Sequence, residues 1–232
     1  MFSFSEFVCL TFDCYGTLID WESGILSALK PLLAEHGREM RDDALLEMYG
    51  KFEAQAEAGE YRRYRDILRF VTQRIASRLS FALHEQEIDL LPNSLKNWPA
   101  FPDTVEALRQ LKSRYKLAII SNTDDDLFAE TAKTLEVPFD FVITAEKARS
   151  YKPSRRNFEL AVERIGLPKG KILHCAQSRY HDIVPTKELG IANVWVDRRT
   201  GRLGPGATYP ATAMPDFTVT SLRELADAAL RA

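Results

Sequence analysis

Short apolar runs that lack polar alternation recur along the chain. They carry β-branched and aromatic residues and occupy residues 7–12, 116–120, 139–144, 171–176 and 192–196. Runs of this length without alternation are typical of strands in a parallel sheet that helices cover on both faces. The pattern therefore predicts five strands of a buried parallel sheet.

Helical patterns lie between these runs. In residues 103–115 and 154–166 the apolar side chains fall on one face of a 3.6-residue period. Asp103 with Glu106 resembles a capping box at the start of the first helix, and Gly166 is a stop signal after the second. Strand and helix alternate from about residue 100 onward. The predicted fold is therefore α/β, with a Rossmann-like, doubly wound parallel sheet.

Residues 18–97 break this alternation. They contain no convincing strand, and residues 22–37, 42–59 and 63–79 are each typical of an amphipathic helix. We expect a core domain formed by 1–17 and 98–232, with a helical domain formed by 18–97 inserted after the first strand. Residues 198–215, rich in Gly and Pro, predict a long loop.

Composition narrows the function only slightly. The chain has 232 residues, a formal net charge of -2, 45% hydrophobic residues and 28% charged residues, as is usual for soluble globular proteins. Nothing in this balance predicts a nucleic-acid or anionic membrane partner, and no apolar run approaches the ~20 residues of a membrane span. We read no secretory signal, and three separated cysteines without a CxxC motif indicate buried thiols in the cytoplasm.

Polar residues follow four of the predicted strands. Asp13 follows the first, Ser121 and Asn122 the second, and Lys152 lies on the loop after the third; the fourth is followed by Gln177, Ser178 and Asp182. Because the carboxyl ends of parallel strands meet at one edge of the sheet, we expect these side chains to converge there on a ligand site.

The order Asp13, Ser121, Lys152, Asp182, with "DCYGTL" after the first strand, resembles the haloacid dehalogenase superfamily. The resemblance covers nearly the whole chain and implies that the inserted helices are a cap. It also implies that Asp13 is a nucleophile, that Thr17, Ser121 and Asn122 orient groups around it, and that Lys152 offsets the charge of the two carboxylates.

Two positions separate this chain from the phosphatases of that superfamily. Phosphatases carry Asp-x-Asp, whose second aspartate protonates an alkoxide leaving group; position 15 here is Tyr. Their "GDSxxxD" motif helps to hold magnesium, whereas this chain reads "AQSRYHD" and has Gln177. Magnesium prefers carboxylate oxygens, and a halide leaves without a proton. The pattern resembles the L-2-haloacid dehalogenase branch, which implies no metal or cofactor.

The implied reaction has two steps. Asp13 displaces halide from carbon to form an ester, and water that Asp182 positions or deprotonates then hydrolyses this ester. The substrate, a small haloacid, would bind through backbone N–H groups and Ser121. Tyr15 would form an apolar wall or serve packing alone. Gln177 stands where the family has a serine, and Arg179 where it has an asparagine; both, with Ser178, are predicted to contact the substrate.

Other departures leave the substrate open. The cap arginine that meets the halide in known members has no counterpart in residues 45–55, and a family tyrosine is Phe158 here. The place of the missing cap arginine could be taken by one of four arginines: Arg62, Arg63, Arg65 and Arg69.

The four histidines lack metal-ligand spacing and receive no role. A homodimer is implied by resemblance alone. The alternatives are a phosphatase that tolerates Tyr15 and Gln177, and a binding protein without turnover.

Overall fold

A computed structural model of the protein describes residues 2–199 and 206–231. Within these residues, six parallel strands form one sheet in the order β3-β2-β1-β4-β5-β6. The strands are β1 (Cys9–Phe12), β2 (Lys116–Ser121), β3 (Phe141–Thr144), β4 (Ile172–Ala176), β5 (Ala192–Val196) and β6 (Phe217–Val219). The α/β, Rossmann-like parallel sheet that the apolar runs predict is therefore confirmed.

The helices fall into two groups. Between β1 and β2 lie α1 (Trp21–Glu35), α2 (Asp42–Glu57), α3 (Tyr64–Arg78) and α4 (Leu90–Ser94), which we call the inserted helices. From there the chain alternates helix and strand, with α5 (Thr104–Lys112), α6 (Asp125–Leu135), α7 (Ala145–Ala148), α8 (Arg155–Ile165), α9 (Val184–Leu189) and α10 (Leu222–Arg231). The division into a core domain and a cap domain stays a prediction.

The central strands are buried on both faces, which explains their unbroken apolar sequence. Successive side chains of β1 point to opposite faces. Leu10 and Phe12 pack into one apolar cluster with residues of β2 and β4, and Cys9 packs into a second cluster with Ile120 and Phe158. This double burial makes β1 a rigid support for the residue that follows it, Asp13.

Two predictions from the sequence differ from the structure. Strand β6 was not expected, because three residues are too few to give a recognisable apolar run. The capping box at α5 is wrong: the Asp103 carboxylate makes no cap bond. It accepts hydrogen bonds instead from Arg198 and from the backbone N–H of Leu222, at the start of α10. Asp103 thus connects α5 to Arg198, which follows β5, and to the start of α10.

Several smaller expectations concern the remaining chain. Of the predicted loop 198–215, residues 200–205 lie outside the described residues, and 206–215 contain no helix or strand. All three cysteines are free and buried. Among the described residues, no helix has the length and apolar character needed to cross a bilayer.

Candidate active site

Asp13 stands at the carboxyl end of β1, in the centre of the sheet. Its backbone N–H donates to the Cys175 carbonyl at 3.2 Å, which continues the ladder between β1 and β4 by one residue. The chain then turns sharply at Gly16, whose φ of +94° favours glycine. The turn brings the Thr17 hydroxyl back to donate to Asp13 Oδ2 at 2.7 Å. Asp13 is thereby fixed by its own loop.

Lys152 lies between the two buried carboxylates of the site. Its Nζ is 2.9 Å from Asp13 Oδ1 and 2.6 Å from Asp182 Oδ1, and it also donates to the Ile120 carbonyl at 3.0 Å. The side chain of Asn122 holds the lysine backbone, accepting from its N–H and donating to its carbonyl. Lys152 is 2% exposed, so its charge is satisfied by these three oxygens alone.

A buried histidine supports Asp182 from behind. His174 on β4 is paired in register with Thr11 on β1, and their side chains are 2.8 Å apart. The other ring nitrogen of His174 lies 2.9 Å from Asp182 Oδ1, and Phe158 packs edge-on against the ring. The absence of metal-ligand spacing gave His174 no role, but strand register places it in the site's hydrogen-bond network.

The charges of the three central groups depend on one another. Burial raises the pKa of Asp13, and the Lys152 ammonium acts against this rise. Burial also acts to raise the pKa of Asp182, but Lys152 and His174 outweigh it and lower that pKa. For Lys152, burial acts to lower the pKa, but the two carboxylates outweigh it and raise it. The lysine therefore stays charged at neutral pH.

The structure brings most of the predicted site residues to one cavity. Its walls include Asp13, Tyr15, Ser121, Asn122, Lys152, Gln177, Ser178 and Asp182. Thr17 does not line the cavity itself, but its hydroxyl donates to Asp13, which does. Arg179 is not among the lining residues, and its guanidinium lies 3.8 Å from the centre of the Trp195 ring. The Tyr15 hydroxyl is turned to Thr131 Oγ1 at 2.8 Å, so the tyrosine offers its ring to the cavity.

Sequence reasoning missed the part of the cavity wall that the inserted helices supply. This wall consists of Trp21 on α1, Glu53 and Glu57 on α2, and Tyr64 on α3, with His181 and Thr208 beside them. The cavity is small, with a volume of about 30 Å³, so a small ligand is expected. Burial raises the pKa of Glu53 to about 7 and lowers the pKa of His181 to about 4.

None of the four candidate arginines lines this cavity. Arg63 and Arg65 both pair with Asp126 on α6, and Arg69 pairs with Asp66 and Asp89. Arg62 lies over the Phe70 ring at 5.2 Å. The residues that meet the cavity from the inserted helices are acids and aromatics, and the prediction that one arginine turns inward finds no support here.

The residues present do not fit a magnesium ion. Asp182 Oδ1 already faces two nitrogen atoms, and the Lys152 ammonium occupies the space between the two aspartates. The remaining position, 177, carries an amide where magnesium prefers a carboxylate. Elsewhere, on the segments that connect the inserted helices, ligand atoms of His36, His84 and Glu87 lie within 4.8 Å of one another, a grouping that sequence spacing does not reveal.

Comparisons with known proteins agree with this arrangement. A family model described as haloacid dehalogenase-like hydrolase matches residues 8–174. The (S)-2-haloacid dehalogenase of Pseudomonas fluorescens is 26% identical over 228 residues, covering 93% of each chain. That of Pseudomonas sp. (strain YL) is 27% identical over 235 residues, covering 94% of this chain and 92% of the relative.

Solved structures agree on the fold. A defluorinating L-2-haloacid dehalogenase superposes with a TM-score of 0.82 at 23% identity, covering 97% of this chain and 96% of the other. The family match spans most of the chain, including β1 with Asp13, the inserted helices and Lys152. This chain belongs to the haloacid dehalogenase-like hydrolases.

Proposed function

We propose that the protein hydrolyses short 2-haloacids through an ester on Asp13, without a metal ion. One observation carries the proposal: Asp13 is held between Thr17 and Lys152, with a tyrosine where an acid for an alkoxide leaving group would stand. A carboxylate in this setting suits displacement of a group that departs as a stable anion. The (S)-2-haloacid dehalogenases that resemble the chain support the same reaction.

In the first step, a carboxylate oxygen of Asp13 attacks the carbon that bears the halogen. The carbon–oxygen bond forms as the carbon–halogen bond breaks, and the halide leaves with the bonding electrons. Lys152 and Thr17 hold the carboxylate in place, which lowers the entropic cost of the attack. The Tyr15 ring forms an apolar part of the wall around the reacting carbon.

In the second step, water attacks the carbonyl carbon of the Asp13 ester. Asp182 Oδ2 is buried and accepts no hydrogen bond from a described residue, so it can accept one from the attacking water. Cleavage of the acyl–oxygen bond releases the 2-hydroxy acid and restores Asp13. Lys152 Nζ contacts one oxygen of Asp13 and one of Asp182, and its positive charge offsets the negative charge that develops as water attacks the ester.

The Ser121 hydroxyl is a candidate for holding the substrate carboxylate. Ser121 Oγ is buried, lines the cavity and has no hydrogen-bond partner among the described residues. A buried polar atom without a partner is rare, and a bound ligand explains it.

We further propose that residues 18–97 act as a cap domain on a core of 1–17 and 98–232, because the inserted helices form one wall of the cavity. The homodimer stays a prediction.

The proposal is tested by halide release from 2-chloropropionate and 2-bromopropionate, with and without EDTA. We expect release that EDTA leaves unchanged and that Asp13→Asn abolishes, because an amide is a far weaker nucleophile. Asp66→Asn, a change on the exposed side of α3, is the matched control and should keep full activity. Magnesium-dependent release of phosphate from esters, without halide release, would show a phosphatase instead.

A single turnover in ¹⁸O-labelled water tests the ester directly. With enzyme in excess, the hydroxyl oxygen of the product comes from Asp13, so the first product should be unlabelled. The label should appear in the Asp13 carboxylate, as mass spectrometry of the peptide that contains it would record. Labelled product in the first turnover would mean that water attacks the substrate carbon itself.

A further inference from the structure

Helix α2 directs two carboxyl groups into the cavity that Asp13 also lines. Glu53 and Glu57 lie one helical turn apart and both line the cavity. Glu53 is 4% exposed, and its Oε1 accepts hydrogen bonds from the hydroxyls of Tyr49 at 2.9 Å and Tyr64 at 2.5 Å. Both phenols are themselves buried, so this end of the glutamate is fixed in one orientation.

Glu57 is held by residues of the sheet edge. Its Oε1 accepts from Asn122 Nδ2 at 3.2 Å, and its Oε2 lies 3.8 Å from His181 Nε2. The side chain is 7% exposed. Asn122 is the residue that grips the backbone of Lys152, so Glu57 is connected to the catalytic lysine through one side chain.

The four acids of the cavity cannot all be ionised at the same time. Asp13, Asp182, Glu53 and Glu57 as carboxylates, against the ammonium of Lys152, would give a net charge of −3. Among the described residues, Lys152 is the one cationic side chain in the wall, since no arginine lines the cavity. Buried charges without partners are costly enough that the group takes up a proton instead.

We propose that Glu53 and Glu57, as neutral carboxylic acids, form a hydrogen-bond-donating subsite for the leaving halide, and that this subsite suits fluoride. The inference rests on the proposed function. In place of a cation, the part of the cavity wall that α2 supplies offers two acidic O–H groups. Among the halides, fluoride accepts the strongest hydrogen bonds and is also the poorest leaving group. Its departure therefore gains most from such donors.

The chemistry of the step needs no proton transfer. As the Asp13 oxygen bonds to carbon, the carbon–fluorine bond breaks and fluoride departs with the electron pair. The carboxyl O–H groups donate to the fluoride, but the protons stay on the glutamates, because hydrogen fluoride is a stronger acid than a carboxyl group that titrates near neutrality. The water of the second step then supplies the product's proton, and the overall reaction is the same hydrolysis.

The protonation of the subsite depends on the groups around it. The facing titratable groups are Asp13, Asp182, Lys152 and His181 at the sheet edge, Tyr49 and Tyr64 on the inserted helices, and Tyr151. Burial raises the pKa of Glu53 to about 7, against the hydrogen bonds of the two tyrosines. Burial and repulsion by Glu53 raise the pKa of Glu57 well above its usual range, against Lys152.

Glutamine substitutions distinguish a neutral donor from an ionised base. Glu53→Gln and Glu57→Gln keep a neutral hydrogen-bond donor at every pH. With fluoroacetate, kcat/KM of the unchanged protein should fall as pH rises through about 7, and this fall should vanish in Glu53→Gln. Glu53→Leu should lose about tenfold to a hundredfold in fluoride release, with a smaller loss for chloroacetate. Glu47→Gln, exposed on the same helix, should change neither profile.

A spectroscopic measurement separates this inference from the proposed function. Infrared difference spectra in D₂O should contain the C=O band of a protonated carboxyl group that titrates near pH 7 and is missing from Glu53→Gln. Absence of the band, or a Glu53→Gln variant as inactive as Glu53→Leu at every pH, overturns the subsite. Equal fluoride and chloride losses in Glu53→Leu also overturn it. Failure of Asp13→Asn to abolish chloride release refutes the ester mechanism but leaves the infrared result standing.

Discussion

At the scale of single residues, the site depends most on Lys152, which partners two buried carboxylates. We expect Lys152→Met to cost about 3–5 kcal/mol in free energy of unfolding at pH 7, because Asp13 and Asp182 lose their shared cation. The loss should shrink toward acid pH. There both carboxylates take up protons, and no unpaired charge remains buried. Urea unfolding of both proteins at several pH values measures it.

Lys51→Met is the control, since Lys51 is an exposed lysine of α2 and its removal should cost less than about 0.5 kcal/mol. A Lys152→Met protein as stable as this control at pH 7 would mean that the two aspartates are not both ionised in the folded protein.

The sequence predicts some site residues and hides others for a physical reason. Asp13, Lys152 and Asp182 each follow a strand of a parallel sheet, so their convergence follows from the topology alone. Glu53 and Glu57 lie in a helix with charged residues on other faces, and a pair four residues apart is equally typical of a solvated surface. Only the packing of α2 above the sheet edge distinguishes the two cases.

At the scale of elements, the position of α2 depends on Gly50. A Cβ at this position would lie 2.4 Å from the backbone oxygen of Ala207, closer than such atoms approach. Gly50→Ala should therefore push α2 away from residues 206–208, at a cost of about 1–3 kcal/mol. Because α2 carries Glu53 and Glu57, kcat/KM for halide release should also fall. Thermal unfolding and halide release measure the two effects.

Gly59→Ala provides the comparison for that change. Gly59 follows the same helix, and its added methyl group would have only ordinary van der Waals contact with the Ala56 carbonyl. It should preserve both stability and activity. Equal behaviour of the two alanine variants would show that α2 tolerates displacement, and the glutamates would then not be held as rigidly as their contacts indicate.

Elements also differ in how well sequence predicts them. Strands β1 to β5 are apparent as apolar runs because burial on both faces removes polar alternation. Strand β6 pairs only with β5 at the sheet edge and includes the exposed Thr218, so it lacks that signal. Asp103 has the sequence of a cap, but its carboxylate binds Arg198 and the start of α10, because a distant element competes successfully for it.

At the scale of the whole molecule, one buried carboxylate links the inserted helices to the sheet. Asp124, after β2, accepts hydrogen bonds from the backbone N–H groups of Tyr64 at 2.9 Å and Arg65 at 3.0 Å. These N–H groups belong to the first turn of α3, which has no side-chain cap of its own. Helix α3 is therefore capped by the other part of the chain, next to the Tyr64 side chain that binds Glu53.

The buried acid in this interface makes the stability of the whole molecule depend on pH. Burial raises the folded-state pKa of Glu53 from its ordinary value of 4.5 to about 7. Between these values the folded protein keeps a proton that the unfolded chain has lost, so this residue's contribution to stability decreases as pH rises from about 4.5 to 7.

The substitution Glu53→Gln removes this titration. Relative to the unchanged protein, the variant should gain up to about 3 kcal/mol in free energy of unfolding between pH 4 and pH 8. Urea unfolding across that range measures the gain, and Glu47→Gln should show none. A constant difference between Glu53→Gln and the unchanged protein at all pH values would mean that Glu53 titrates normally, as a carboxylate already ionised in the cavity at pH 5.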